Sequence, residues 1–181
     1  LRNLGASFFA VANLSEALQV RAATRRADIL ILGYTDPRCA DILVENYRPG
    51  VMERLGLPYE SLAQINPRLV YAAIRGFGDP RTGVNAAASP YANWPAYDVV
   101  AQAMGGLISV TGPDRAHPTK TGPGIGDVFA GMVAAFGILA AVRASESTGK
   151  GQFRDVAMYD AILPLCERLV YQHDFDGTVP T

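Results

Sequence analysis

Residues 124–142, GIGDVFAGMVAAFGILAAV, hold one carboxylate, Asp127, at the head of a run of small and apolar residues with no other charge in it. Two kinds of chemistry suit a lone Asp there. As a helix N-terminal residue it meets unpaired N–H groups and the positive end of the macrodipole, and both stabilise a negative charge. Gly126 reads as a break in the preceding chain, and residues 128–143 read as the helix. The same physics keeps the carboxylate ionised, and an ionised carboxylate can act as a nucleophile. Gly131, Ala134, Ala135, Ala140 and Ala141 put little bulk on the helix, so another element or a ligand can approach its backbone closely. Residue type and position leave capping and catalysis both open.

Other chemistry-bearing residues are sparse. His117 and His173 lie near Pro or acidic loop residues, and no Cys/His cluster has ligand spacing, so no metal site is expected. Cys39 and Cys166 are too few for a disulfide framework and read as small apolar residues. No dinucleotide fingerprint, P-loop or zinc-protease motif is present. With 181 residues, 49% of them hydrophobic, and a net charge of −1, the chain can bury one sizeable core. No field of one sign invites nucleic acid or an anionic membrane. The apolar run after Asp127 is about 15 residues by this reading, short of the roughly 20 that a span needs. No signal peptide is legible at the start. A cytoplasmic location is therefore expected.

The elements that must position Asp127 follow from periodicity. SFFAVAN (7–13) is a strand, and Asn13 with Glu16 has capping-box spacing at the start of a helix. Leu14, Ala17, Leu18 and Ala22 share one face of that helix, and DILILGY (28–34) is a second strand. The pattern is a β-α-β unit with parallel strands. DILVENY (41–47) is a further strand ended by Pro49-Gly50. VMERLGL and YESLAQIN (59–66) are short helices, and RLVYAAIRGFG (68–78) is again a strand. Residues 79–95 form a long loop, 97–110 a helix, and 111–124 a second loop leading to Asp127. FRDVAMYDAILPLCERLVYQ begins as a strand and becomes a helix, and the tail HDFDGTVPT has no periodicity. The class is α/β, a largely parallel sheet with flanking helices. Ligands bind such sheets at the carboxyl ends of the strands, here ENYRPG and RGFGDP.

Five blocks, in order, carry a family resemblance: ADILVENYRPGVMERLGL, INPRLVYAAIRGFG, PAYDVVAQAMGGL, GDVFAGMVAAFGILAAV and TGKGQFRDVAMYDA. From residue 39 to 181 the chain resembles the family III CoA-transferases, the group of formyl-CoA and carnitine CoA-transferases and α-methylacyl-CoA racemases. The resemblance implies part of a Rossmann-like large domain, coenzyme A as substrate, an acyl-CoA donor, a carboxylic acid acceptor and a homodimer. It aligns Asp127 with the nucleophile that passes through a mixed anhydride to an aspartyl-CoA thioester. Asn46, Tyr47 and Arg48 match the segment that touches CoA, and Arg54 matches a CoA-binding arginine, whose planar fork suits phosphate. The plainer roles are a solvated helix face for Arg54 and strand-end packing for Tyr47. Tyr97 stands where the racemase branch has a basic histidine and formyl-CoA transferase a tyrosine. A tyrosine, with a reference pKa of about 10, serves proton abstraction poorly, so transfer is favoured over racemisation. Its plainer role is a core aromatic at a helix start. Residues 1–38 instead resemble a barrel segment of alanine racemase, whose cofactor lysine has no counterpart before Lys120. The chain thus reads as a join near residues 37–39, truncated at its C-terminal side and inactive in transfer by itself. A folded chimaera without catalysis is the remaining alternative.

Overall fold

The structure, a computed structural model, describes residues 8–11, 28–31, 41–79 and 89–178. The chain divides into two units, Leu1–Asp41 and Ile42–Thr181. In the first, β1 (Phe8–Val11) and β2 (Asp28–Ile31) pair in parallel, with Phe8 opposite Asp28 and Val11 opposite Ile31. The helix expected from Asn13 lies outside the described residues, as does Cys39.

The second unit is built on a three-stranded parallel sheet in the order β3 (Ile42–Glu45), β4 (Val70–Arg75), β5 (Gln152–Ala157). Ile42 is opposite Val70, and Val70 is opposite Gln152. The central strand is the most apolar: Val70, Tyr71, Ala72 and Ala73 are all buried. Two short helices, α1 (Val51–Arg54) and α2 (Tyr59–Ile65), connect β3 to β4. Tyr59 of α2 meets Tyr71 edge-on at 5.8 Å between ring centroids, and Tyr71 stacks on Phe153 of β5 at 5.3 Å. Such aromatic pairs add to what area burial alone contributes. After β4 come α3 (Asp98–Met104), α4 (Ile125–Thr148), then α5 (Met158–Ile162) and α6 (Glu167–Asp176) beyond β5. Single 3₁₀ turns occupy Leu107–Val110 and Leu163–Cys166.

The helix α4 fixes the geometry of the site. It packs on β4, β5, α3 and α5 through a stripe of small residues, Gly126, Ala130, Ala134, Ala141 and Ser145, all buried. Helical neighbours three or four apart share a face, so this spacing aims one thin edge at the sheet. Ala101, Ala130, Met158, Ala161, Ile162 and Cys166 form the adjoining core. Near the other end of α4, the Ser145 hydroxyl donates to the Arg68 carbonyl at 3.0 Å, just before β4 begins. The twenty residues from Ser145 back to Ile125 cover about 30 Å, whereas β4 covers about 20 Å. The start of α4 therefore stands at or beyond the carboxyl end of β4.

Three expectations are corrected. The long helix begins at Ile125 rather than Val128 and continues to Thr148, with Gly149 at φ 72° closing it. At 24 residues it is long and apolar enough to cross a membrane by length and composition, not the short run inferred from sequence; its packing nonetheless makes it part of this unit. The helix expected over 97–110 stops at Met104. Gly106 turns the chain at φ 91° into the 3₁₀ turn, and a side chain on Gly105 would collide with Ile162.

Candidate active site at the carboxyl ends of β3 and β4

Gly76 follows β4, and a Cβ there would overlap the Ala96 methyl group. That close approach sets Ala96, Tyr97 and Asp98 against the end of the strand. Tyr97 is the N-cap residue of α3 and is 66% exposed, so it is no core aromatic. Asp98 reaches from α3 to α4: its Oδ1 accepts the Gly126 N–H at 2.8 Å. Both of its oxygens accept from the Gln102 side-chain amide, at 3.0 and 2.8 Å, and Lys120 Nζ lies 3.1 Å from Oδ2. Gln102 is fully buried, and its Oε1 accepts the Thr121 N–H and hydroxyl at 3.1 and 3.0 Å. The loop before α4 is thus tied to α3 through one amide.

Gly126 is not a chain break. It is the second residue of α4, and a Cβ on it would stand 3.1 Å from Asp98 Oδ1 and 3.2 Å from the Ala101 methyl group. Glycine is what lets the Asp98 carboxylate reach the helix end and satisfy one of its orphan donors. Asp127, the third helical residue, is therefore relieved of capping and stands exposed beside this network. The Asp98 carboxyl is penalised by burial, but hydrogen bonds from Gln102, Lys120 and the Gly126 N–H, with the charge of Lys120, outweigh this and hold it below the usual carboxylate range. The Asp127 carboxyl is pushed up, first by desolvation from the atoms crowded around it and then by the charge of Asp98, with Lys120 opposing. These neighbours act on Asp127 in the direction opposite to the helix end, which favours its charged form.

A second group of expected residues sits on the β3–α1 connection. Asn46, Tyr47 and Arg48 follow β3 directly and are exposed, Tyr47 by 54%, so it is not packed under a loop. Arg54, the last residue of α1, is also exposed. Its guanidinium folds back over Gly50, where a Cβ would lie 3.3 Å from Nη1. Beneath this turn is a buried ionic chain absent from the sequence reading. Arg75 Nη2 is 3.2 Å from Glu45 Oε1, and Arg75 Nη1 is 2.6 Å from Asp79 Oδ2. Glu45 Oε2 also accepts the Tyr47 N–H at 2.8 Å. The signal for Glu45 and Arg75 was present, since each is a charge closing an otherwise apolar strand. Asp98, Gln102 and Lys120 left no such pattern. Among the described residues no group of His, Cys, Asp and Glu could hold a metal ion.

The structure brings Tyr97 and Asp127 together through Asp98, and it gathers Asn46, Tyr47, Arg48 and Arg54 on one connection at the same end of the sheet. A model of CoA-transferase family III matches residues 38–181. The chain belongs to CoA-transferase family III. A second model, the alanine racemase N-terminal domain, matches residues 1–53. Succinyl-CoA:mesaconate CoA-transferase of Haloarcula hispanica is 50% identical over 142 residues, 78% of this chain and 35% of the relative. Formyl-CoA:oxalate CoA-transferase of Streptomyces avermitilis is 47% identical over 129 residues, 71% of this chain and 29% of the relative. Among solved structures, a CAIB/BAIF family protein from Brucella suis superposes with a TM-score of 0.72 at 34% identity, covering 80% of this chain and 36% of that one. The chain spans about a third of the length of each of these relatives.

Proposed function

We propose that these residues form the nucleophile and part of the CoA site of an acyl-CoA:carboxylate CoA-transferase. The observation that carries the proposal is Asp127 itself. In a segment of this family it is a carboxylate in the first turn of α4 whose capping duty has passed to Asp98. An Asp127 oxygen attacks the thioester carbonyl, the C–S bond breaks, and CoA leaves as thiolate with Asp127 in a mixed anhydride. The thiolate then attacks the aspartyl carbonyl, releasing the donor's carboxylate and leaving an aspartyl-CoA thioester. The acceptor carboxylate enters by the reverse of these two steps and departs as its CoA ester, restoring Asp127. Dividing the exchange in this way replaces one hard step by easier ones. In the first turn of α4, Ile125 N–H bonds Pro123, Gly126 N–H bonds Asp98 and Val128 N–H bonds Gly124. Among the described residues nothing accepts the Asp127 N–H, which suits it to stabilise a developing oxyanion.

Arg54 and the Asn46–Arg48 turn supply the phosphate and pantetheine contacts in this reading. Tyr97, exposed at the start of α3 where a racemase would need a titrating base, supports transfer over racemisation. The test is formation of oxalyl-CoA from acetyl-CoA and oxalate, or of mesaconyl-CoA from succinyl-CoA and mesaconate. Formation that is abolished in Asp127→Asn supports the proposal. Formation that continues unchanged in that variant overturns it.

A further inference from the structure

The side chains of Arg75, Glu45 and Asp79 are at most 5% exposed. One guanidinium serves two carboxylates, 3.2 Å from Glu45 and 2.6 Å from Asp79. Burying three charges is costly, and such a group is weak grounds for stability; its best-attested use is to fix a register. What this one fixes is visible at its ends. Glu45 closes β3 and holds the backbone N–H of Tyr47 at 2.8 Å, two residues into the exposed turn. Asp79 lies on the segment after β4, and its N–H donates to Asp155 Oδ2 of β5 at 2.6 Å. Arg75 closes β4, the strand whose end also carries Gly76 and hence Ala96, Tyr97 and Asp98. A single buried fork therefore links the turn after β3, the segment after β4, and β5.

We infer that Arg75 is a positioning residue for CoA: through Glu45 it sets the backbone of the Asn46–Arg48 turn relative to the Asp127 end of the site. This rests on the reading of that turn as a CoA contact. The fork is the essential property, because its two ends donate in fixed directions to two acceptors at once. A lysine supplies the same charge from one ammonium group and cannot reproduce that geometry.

Arg75→Lys separates positioning from charge neutralisation. Its CoA affinity, measured by calorimetry with CoA as the titrant, is expected to fall at least tenfold while the circular dichroism and unfolding midpoint stay near those of the wild type. A purely structural role is met by the conserved charge, so affinity within twofold of wild type in folded Arg75→Lys overturns the inference. If Arg75→Lys does not fold, Glu45→Gln decides. Glu45 uses one oxygen for Arg75 and the other for the Tyr47 N–H; the amide turns one of these acceptors into a donor, and the same tenfold loss is expected, while unchanged affinity there overturns the inference. Wild-type protein that binds no CoA overturns the reading of the turn and this inference with it, whereas wild-type binding with unaffected variants overturns this inference alone.

Discussion

Replacing Asp98 by alanine removes the link between α3 and α4, and its cost can be worked out group by group. The Gly126 N–H loses its cap, which costs about 1 kcal/mol. The side-chain NH2 group of Gln102, wholly buried, keeps only a long contact to the Pro123 carbonyl at 3.4 Å. A buried donor left so poorly paired costs about 1–3 kcal/mol. The Lys120 pair adds little, at most about 1 kcal/mol, because the lysine is 39% exposed. These groups share atoms and do not add fully, so a loss of about 2–4 kcal/mol is expected. Urea unfolding followed by the fluorescence of Trp94, the one tryptophan, measures it as a lower midpoint at unchanged slope. The pH dependence follows from the sign. The folded Asp98 carboxyl lies below its ordinary value of 3.8, so its contribution is fully present above that pH and disappears as the pH falls through the folded value. The gap between wild type and Asp98→Ala should therefore narrow on acidification below about pH 4. A difference under about 0.5 kcal/mol at neutral pH, or a gap that widens in acid, would refute this account of how α4 is capped.

Arg54→Ala should weaken CoA binding roughly 10- to 100-fold, the loss of one charge-assisted phosphate contact of about 1.5–3 kcal/mol, as read by calorimetry. Gly76→Ala should cost about 1–3 kcal/mol through the forced shift of Ala96; thermal unfolding within 1 °C of wild type would contradict that close approach. The protein should self-associate through the uncovered face of α4, where Val128, Met132, Phe136 and Leu139 are 52–70% exposed. Phe136→Glu should shift the sedimentation profile toward monomer, and a wild type already monomeric at high micromolar concentration would contradict this.

The sheet was legible because its strands are short apolar runs closed by Pro, Gly or a charge. RLVYAAIRGFG contains β4, and DILVENY contains β3. Asp127 was legible because a lone carboxylate before fifteen uncharged residues is conspicuous, and the resemblance gave it a role. Its surroundings were not legible. Gly126 looks like a breaker in a sequence, whereas in the fold it is helical and clears space for a carboxylate 28 residues earlier in the chain. Gln102 reaches Thr121 across 19 residues, and Glu45 reaches Arg75 across 30. Periodicity carries no information at such separations. The break after Met104 also escaped, because MGGLIS continues the apolar pattern while Gly106 adopts a left-handed turn.

The central claim, that Asp127 carries the acyl-transfer chemistry, is tested most directly by a covalent adduct. The protein is mixed with succinyl-CoA, quenched in acid, digested and mapped by mass spectrometry. The account predicts a CoA thioester or acyl anhydride on the peptide containing Asp127, trapped as a hydroxamate by hydroxylamine and absent from Asp127→Asn. An adduct on another residue, or one that persists in Asp127→Asn, would contradict it.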